Sequence, residues 1–328
     1  MIGFARAAPG NNGANQGARK EPPASESPLP SLVSEVFQAH RPLLFGIAYR
    51  MLGSVTDAED VVQEIWLRWR QQDATAILVP KAWLVSATTR ACIDQLRSAR
   101  HRREEYYGVW LPEPLAAPES AADPGSAAEL ADSLTMAFML MLETLGPTER
   151  AVFLLREVFS RDYEEIAAIV DKTEANCRQI VRRAKAQLGV APRPAAPPTA
   201  HAQQLVDAFV AATASGDMTA VLALLTEDCT VYSDGGGRVK AAGRPILGAD
   251  HTSRFLLGMW PRFFLQMERR PVAINGAPGF LMSLSEQVHY AFSFEITDDR
   301  VSAIYIICNP EKLHHLQLPP QKRVEQPL

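Results

Sequence analysis

Residues Ser54–Arg70 read SVTDAEDVVQEIWLRWR. Thr56 followed three residues later by Glu59 has the spacing of a capping box, which predicts a helix beginning at Asp57. At about 100° per residue, Val61, Val62, Ile65, Trp66 and Trp69 fall on one arc. Asp57, Asp60 and Glu64 fall on a separate arc, with Gln63 at its edge. Such a helix buries an aromatic face and holds a carboxylate stripe toward something basic. Solvation and the positive N-terminal end of the helix dipole would favour the same acids with no partner at all, so periodicity alone leaves both readings open.

The chain on either side extends this helix into a bundle. Residues 1–30 are rich in Gly, Ala, Asn, Pro and Ser and read as a disordered tail. Ser31 is placed to cap a helix carrying Val33, Val36 and Phe37. Pro42 is expected to restart it, with Leu43, Leu44, Ile47, Ala48 and Met51 as its apolar stripe and Gly53 as its stop. A third helix opens at Pro80; its first half is apolar through Trp83, Leu84, Ala87, Ala91 and Leu96. From Arg90 to Arg103 there are five arginines against Asp94 alone, four of them (Arg97, Arg100, Arg102 and Arg103) in its second half. Trp69 and Trp83 read as core anchors. Residues 31–105 thus form one all-α bundle.

Residues 106–130 lose periodicity and read as a linker, yet they contain Trp110-Leu111-Pro112-Glu113-Pro114, aromatic for a spacer. A second helical domain, 131–190, follows. Its first helix runs from Asp132 through Leu134, Phe138, Met141, Leu142 and Leu145 to Gly146, with Met139 and Met141 as core filler. Pro147 and Thr148 start the next helix. Tyr163–Val170, a turn at Asp171-Lys172 and a second helix capped by Thr173 give a helix-turn-helix. Ile180 and Leu188 face its core, while Arg178, Arg182, Arg183 and Lys185 lie off that face. Residues 191–200, Pro/Ala-rich, mark a further boundary.

Bulk numbers set limits. The 328 residues carry a formal charge of −4, so any nucleic-acid contact must come from local clusters rather than global charge. Cys92, Cys177, Cys229 and Cys308 are far apart, which argues against a zinc site and a disulfide framework. No apolar run reaches a membrane span and the N-terminus lacks a signal pattern, so a cytoplasmic protein is expected, with no membrane contact and no metal.

DAEDVVQEIWLRW resembles the second conserved region of bacterial sigma factors of the extracytoplasmic-function class. The resemblance implies that this helix docks on a coiled coil of the largest subunit of core RNA polymerase through Asp60, Gln63 and Glu64. It likens the helix-turn-helix to the fourth conserved region, whose recognition helix reads a minus-thirty-five element. On that footing Arg178 and Arg182 are the first candidates for base or phosphate contact, Asn176 is a candidate base contact, and Arg183 and Lys185 complete the basic face. Arg97, Arg100, Arg102 and Arg103 would hold promoter DNA near the melted minus-ten element, through phosphate pairing. A cation cluster at a helix C-terminus also suits the dipole without DNA.

Residues 201–313 change character: a helix over Gln204–Thr213, a short helix in SGDMTAVLALLTED, then strand-like runs at CTVYSDGGGR, Gly279–Leu284, Gln287–Ile296 and Arg300–Cys308. This order predicts an α+β cone with a curved antiparallel sheet, similar to the SnoaL/NTF2-like fold. Asp234-Gly235-Gly236-Gly237-Arg238 lacks the ending of a phosphate loop and reads as a tight turn packed on a partner. WLPEP, DGGGR and Asn309-Pro310-Glu311-Lys312-Leu313 together resemble a sigma-factor group with a fused SnoaL-like extension, in which lysine is usual at position 238 and aspartate at 311. There the extension regulates the sigma core in cis. The expectation is that the Trp110 segment is a hinge held against the Asp234 turn.

Two other classes stand beside this one. A ligand-responsive helix-turn-helix regulator would leave the Asp60-Gln63-Glu64 stripe unexplained. A cyclase or isomerase would need acid–base groups in the cone, for which Asp228, Asp250, His251 and His289 are the candidates; no paired constellation is visible, so no catalytic residue is assigned. A small-molecule ligand in the cone would be met by Tyr232, Trp260, Phe263 and Phe264, which serve equally as core. No cofactor is expected, residues 314–328 read as a tail, and a monomer is expected when free.

Overall fold

The structure is a computed structural model and describes residues 28–72, 77–104, 106–117, 135–189 and 199–316. The first bundle comprises α1 (Pro28–Leu52), α2 (Val55–Arg70) and α3 (Pro80–Glu104). Helix α1 runs unbroken through Pro42, where a restart was expected. A proline inside a helix costs roughly 3 kcal/mol. Here Phe37 before it and Leu44, Ile47, Ala48 and Met51 after it are buried in one core, which holds the two halves in line.

Helix α2 starts at Val55, not Asp57, because Ser54 is the cap: its Oγ accepts from the Asp57 N–H at 3.1 Å. Glu59, expected to close a capping box, pairs with Arg41 of α1 instead. The aromatic face behaves as its spacing predicts. Trp69 is buried against Trp83 with ring centroids 5.5 Å apart, and its indole N–H donates to the Val33 carbonyl at 3.0 Å.

The second helical domain contains α4 (Met136–Leu142), α5 (Pro147–Glu157), α6 (Tyr163–Val170) and α7 (Glu174–Leu188). Thr135 caps α4; Asp132 and Leu134, the expected start, lie outside the described residues. The helix-turn-helix matches expectation, with Asp171 left-handed at the turn and Thr173 Oγ1 accepting from Asn176 N–H at 3.3 Å. Buried residues of α1–α3 and α5–α7 form one continuous apolar cluster, so the two helical domains share a core.

The C-terminal cone begins with α8 (Thr199–Ser215) and α9 (Met218–Leu224). Its strands are β2 (Leu225–Asp234), β3 (Ile246–Leu247), β4 (Glu268–Pro271), β6 (Gly279–Leu284), β7 (Gln287–Thr297) and β8 (Arg300–Ile307), in the spatial order β3-β2-β8-β7-β6-β4. Helix α10 (Ala249–Phe263) follows β3. The sheet is mixed rather than antiparallel throughout, because β2 and β8 run parallel. The chain between them, including α10, is long enough for the crossover that parallel neighbours require. A two-stranded ribbon joins β1 (Ala116–Ala117) of the linker to β5 (Ala273–Ile274) of the cone.

Side chains alternate across these strands. One face (Val231, Phe280, Met282, Phe292, Phe294, Ile304, Ile306) packs on Val206 and Phe209 of α8 and on Leu256 and Trp260 of α10. The other face carries Leu281, Ala291, Ala303, Tyr305 and Ile307, covered by Leu111 of the linker and by Met136 and Ala137 of α4. Met139 and Leu142, also on α4, enter the helical core. Helix α4 is therefore a wedge between the helical body and the cone.

Candidate functional site

Asp60, Gln63 and Glu64 are exposed along one side of α2, opposite the buried Val61, Val62, Ile65 and Trp69. The stripe is not turned inward. Arg68, one turn on, pairs with Glu64 on the surface. Leu67 continues the same side and is also exposed.

The basic faces are unequal in what is described. Arg97 is exposed, 3.4 Å from Asp94. Arg100, Arg102 and Arg103 continue α3, but their side chains lie outside the described residues. Asn176, Arg178, Arg182, Arg183 and Lys185 are all exposed on α7, while Cys177, Ile180, Val181, Ala184 and Leu188 are buried. Two of these cations are positioned by neighbours. Arg178 pairs with Glu174 at 2.6 Å and lies 4.9 Å from the Tyr163 ring centroid, and Arg156 sits over the same ring at 4.7 Å. Lys185 pairs with Glu157 at 2.6 Å. Tyr163 as an anchor for the recognition helix was not read from the sequence.

The linker is bound tightly between α2 and the cone. Leu111, Pro112, Glu113 and Pro114 are all buried. Glu113 accepts from Ser54 Oγ at 2.8 Å, from Val55 N–H at 2.8 Å and from Thr56 N–H at 3.3 Å. Its carboxylate thus occupies the N-terminus of α2, where unsatisfied N–H groups and the helix dipole favour an anion. Its backbone N–H donates to Gly53 O at 2.9 Å, and Tyr49 Oη donates to its carbonyl at 2.6 Å.

On the cone side, Asp234 collects four donors. Tyr106 Oη (2.6 Å) and Gly236 N–H (3.0 Å) reach Oδ1, and Leu111 N–H (2.8 Å) and Lys312 Nζ (2.7 Å) reach Oδ2. Lys312 also donates to the Leu111 carbonyl and lies 4.3 Å from the Trp110 ring centroid. Burial and the bond to Asp234 push the Tyr106 phenol well above its ordinary pKa, so it stays a donor. Asn309 Nδ2 donates to Tyr106 Oη at 3.0 Å, and its Oδ1 caps the short turn at Pro310–Lys312, whose successor Leu313 is buried. Gly236 has φ +58°, and a Cβ there would overlap Asn309, which accounts for glycine at this point. Gly235 and Gly237 complete the turn, and Arg238 pairs with Glu311 at 2.9 Å.

The Trp110–Pro114 segment therefore lies against the Asp234 turn through the Leu111 N–H and Lys312. The Trp110 ring packs on Gly53, where any Cβ would overlap it, and under Lys312. Asn275, another residue the sequence reading missed, bridges the parts: its Nδ2 donates to Tyr49 Oη at 2.7 Å and its Oδ1 accepts from Leu115 N–H at 2.9 Å. His315, assigned to a tail, meets the Pro114 carbonyl at 2.8 Å.

The candidate cone site is not assembled. Trp260 and Phe264 are core, tilted against each other with ring centroids 5.2 Å apart; Phe263 is exposed; Tyr232 stacks on Tyr305 across the opposite face. Asp228 and His251 are exposed and His289 is half-buried. Asp250 is bound to Arg254 at 2.8 Å, which lowers its pKa. Among the described residues no His, Cys, Asp or Glu group has the arrangement of a metal site, and no helix is long and apolar enough to cross a membrane.

Comparison with known proteins matches Sigma-70 region 2 to residues 36–102 and Sigma-70, region 4 to residues 135–188. The ECF RNA polymerase sigma factor SigJ of Mycobacterium tuberculosis is 38% identical over 291 residues, covering 85% of this chain and 92% of that relative. The probable ECF RNA polymerase sigma factor SigI of the same organism is 29% identical over 286 residues, covering 87% and 96%. The crystal structure of the M. tuberculosis SigJ superposes with a TM-score of 0.70 at 33% identity, covering 86% of this chain and 98% of that one.

Proposed function

This chain belongs to the extracytoplasmic-function RNA polymerase sigma factors, and from that premise we propose how its surfaces divide the work. It is an alternative sigma factor, which binds core RNA polymerase and directs it to promoters. In our reading Asp60, Gln63 and Glu64 grip a basic surface of the largest polymerase subunit. Arg97, Arg100, Arg102 and Arg103 of α3 hold the template near the minus-ten element. Asn176, Arg178, Arg182, Arg183 and Lys185 of α7 contact the minus-thirty-five element. The protein works in the cytoplasm, where its polymerase is, and no catalytic role is assigned to the cone. The cone regulates the sigma core in cis, through the linker that Glu113 and Asp234 hold from opposite sides.

The observation that carries this reading is the exposure of all three members of the acid–amide–acid set on one side of α2, with its aromatic side buried. A basic partner surface would complement the charge that this stripe presents. Run-off transcription with purified core polymerase tests it. Asp60→Lys combined with Glu64→Lys should cut promoter-dependent transcript at least ~10-fold, since reversed charges at an interface cost several kcal/mol. Undiminished transcription would overturn the assignment. Chain stopped after Val190 tests the cone: if it regulates in cis, promoter output must change.

A further inference from the structure

The cations of α7 are not alike in how they are held. Arg178 pairs with Glu174, one turn before it, at 2.6 Å, and its guanidinium lies 4.9 Å from the Tyr163 ring centroid. Tyr163 opens α6, and its ring is in turn held by α5. Arg156 sits over the ring at 4.7 Å, and Arg156 Nη1 donates to the Arg161 carbonyl at 2.8 Å. Two guanidiniums on one ring would repel each other, but each has its own carboxylate. Glu174 serves Arg178, and Asp162, at 3.6 Å, serves Arg156. Arg182 and Arg183 are exposed further along α7, and neither pairs with an acid among the described residues.

A long side chain that is already held suits a different task from one that is loose. Arginine carries rotamer freedom that a contact must remove, and what is removed in advance is not lost again on binding. Base reading rewards this, because the planar fork must meet two acceptors at once, O6 and N7 of guanine. The Glu174 bond takes one of the five guanidinium N–H groups, so a fork remains for a base. A phosphate is less demanding, since a mobile cation neutralises it from many directions. Position agrees with this division. In a helix-turn-helix the N-terminal residues of the second helix reach base edges. Arg178 lies in that part of α7, about 6 Å along the axis before Arg182 at ~1.5 Å per residue.

We propose that Arg178 reads guanine in the upstream promoter element, that Tyr163 and Glu174 are the positioning residues that aim its fork, and that Arg182 and Arg183 supply phosphate contact without base preference. This assignment takes the sigma-factor reading above as given and adds to it the base and the residues that aim for it. Tyr163 and Glu174 act through Arg178 rather than on DNA.

The test is a selection. The full chain is assembled with core polymerase and offered random-sequence double-stranded DNA long enough to span both promoter elements, and the retained sequences are counted. The unaltered protein should favour G·C at one upstream position by about tenfold over the other pairs. Arg178→Ala and Tyr163→Ala should each flatten that position to within about twofold and leave the others as they were. Tyr163→Phe, which keeps the ring, should hold the preference, and Glu174→Ala should weaken it. Arg182→Ala or Arg183→Ala should lower retention of all sequences alike and reduce the slope of log affinity against log salt by about 0.9.

A guanine preference that survives Arg178→Ala overturns the proposal. So does a folded Tyr163→Ala variant that loses every sequence equally, or a Tyr163→Phe variant no better than Tyr163→Ala, since the ring would then be structural only. Should Tyr163→Ala fail to fold, Glu174→Ala, at an exposed position, decides alone: an unchanged profile overturns the proposal and a weakened guanine position supports it. If the unaltered protein retains no sequence above background, the sigma reading falls too, so the two failures are told apart.

Discussion

The molecule has two seams, and they are built differently. At the linker–cone seam, the Asp234 carboxylate is fully buried, Lys312 is nearly so, and the acid is satisfied by four donors from three segments. At the seam between the helical domains, apolar packing is bordered by Arg90, exposed and bonded to carbonyls that water could serve equally well. Opening the first seam takes the Tyr106 and Leu111 donors from the buried Asp234 charge and leaves it Gly236 and Lys312; opening the second exposes the shared apolar core and frees Arg90 and Arg150 from the carbonyls they cap. The cone therefore holds the linker through a buried polar cluster, whereas the helical domains are held together chiefly by apolar packing.

The largest effect should come from stranding that charge. Lys312→Met keeps the stem that packs beside Trp110 but removes the ammonium from Asp234. Breaking a buried pair by deleting one partner costs about 3–5 kcal/mol. The lower end applies here, because Tyr106, Leu111 and Gly236 still donate to the acid. Urea unfolding should show a loss of about 3 kcal/mol, and adding Asp234→Asn should recover part of it. A loss under 1 kcal/mol would make the two seams alike and remove the contrast.

An intermediate effect tests the opposite end of the same joint. Glu113→Gln keeps one acceptor for the α2 N-terminus but gives up the charge and one of the oxygens shared by Ser54, Val55 and Thr56. Loss of a cap of this kind costs about 1–2 kcal/mol. The same urea experiment reads it. Hydrogen exchange should locate the change in the first turn of α2, next to Asp60. If exchange there is unaltered, the linker does not support the acidic stripe, and Glu113 matters only to the cone.

What the sequence made legible follows the range of the interactions. The arc of Val61, Val62, Ile65 and Trp69, and the helix-turn-helix with Thr173 as its cap, depend on residues within a turn or two of one another, so their spacing displays them. Ser54 and Glu113 are 59 residues apart, and Tyr49 and Asn275 are 226 apart, so no local pattern marks either contact. That is why local spacing puts the start of α2 at Asp57, with Thr56 as its cap: the local capping box is the cap in view, and the distant Glu113 favours Ser54. Pro42 misled for the same reason, because its local cost is visible and the shared core that offsets it is not. Helix α10 was passed over where Gly258 and Pro261 interrupt an otherwise amphipathic run. The parallel pairing of β2 with β8 is a matter of topology that strand-like composition does not record. The acidic stripe and the basic face of α7 are legible because they are surface features of single helices. The linker motif could be read as a joint, but its bonding partners could not.

The smallest effect is expected at one of the most conspicuous motif residues. Arg238 closes DGGGR and pairs with Glu311 of the Asn309–Leu313 motif, so the sequence alone invites the view that this ion pair holds the two motifs together. Both side chains are two-thirds exposed, and exposed pairs contribute about 0–1 kcal/mol. The turn is held instead by groups beneath the pair: Asp234 on Gly236 N–H, and the Cys308 and Asn309 N–H groups on the Asp234 carbonyl at 2.8 and 2.9 Å. Arg238→Ala should therefore shift stability by no more than about 0.5 kcal/mol, and the shift should shrink further in 1 M salt as a surface pair is screened. A loss above 1.5 kcal/mol that persists in salt would mean that the surface pair holds the joint as firmly as the Glu113 cap does, which would end the ordering of the three substitutions.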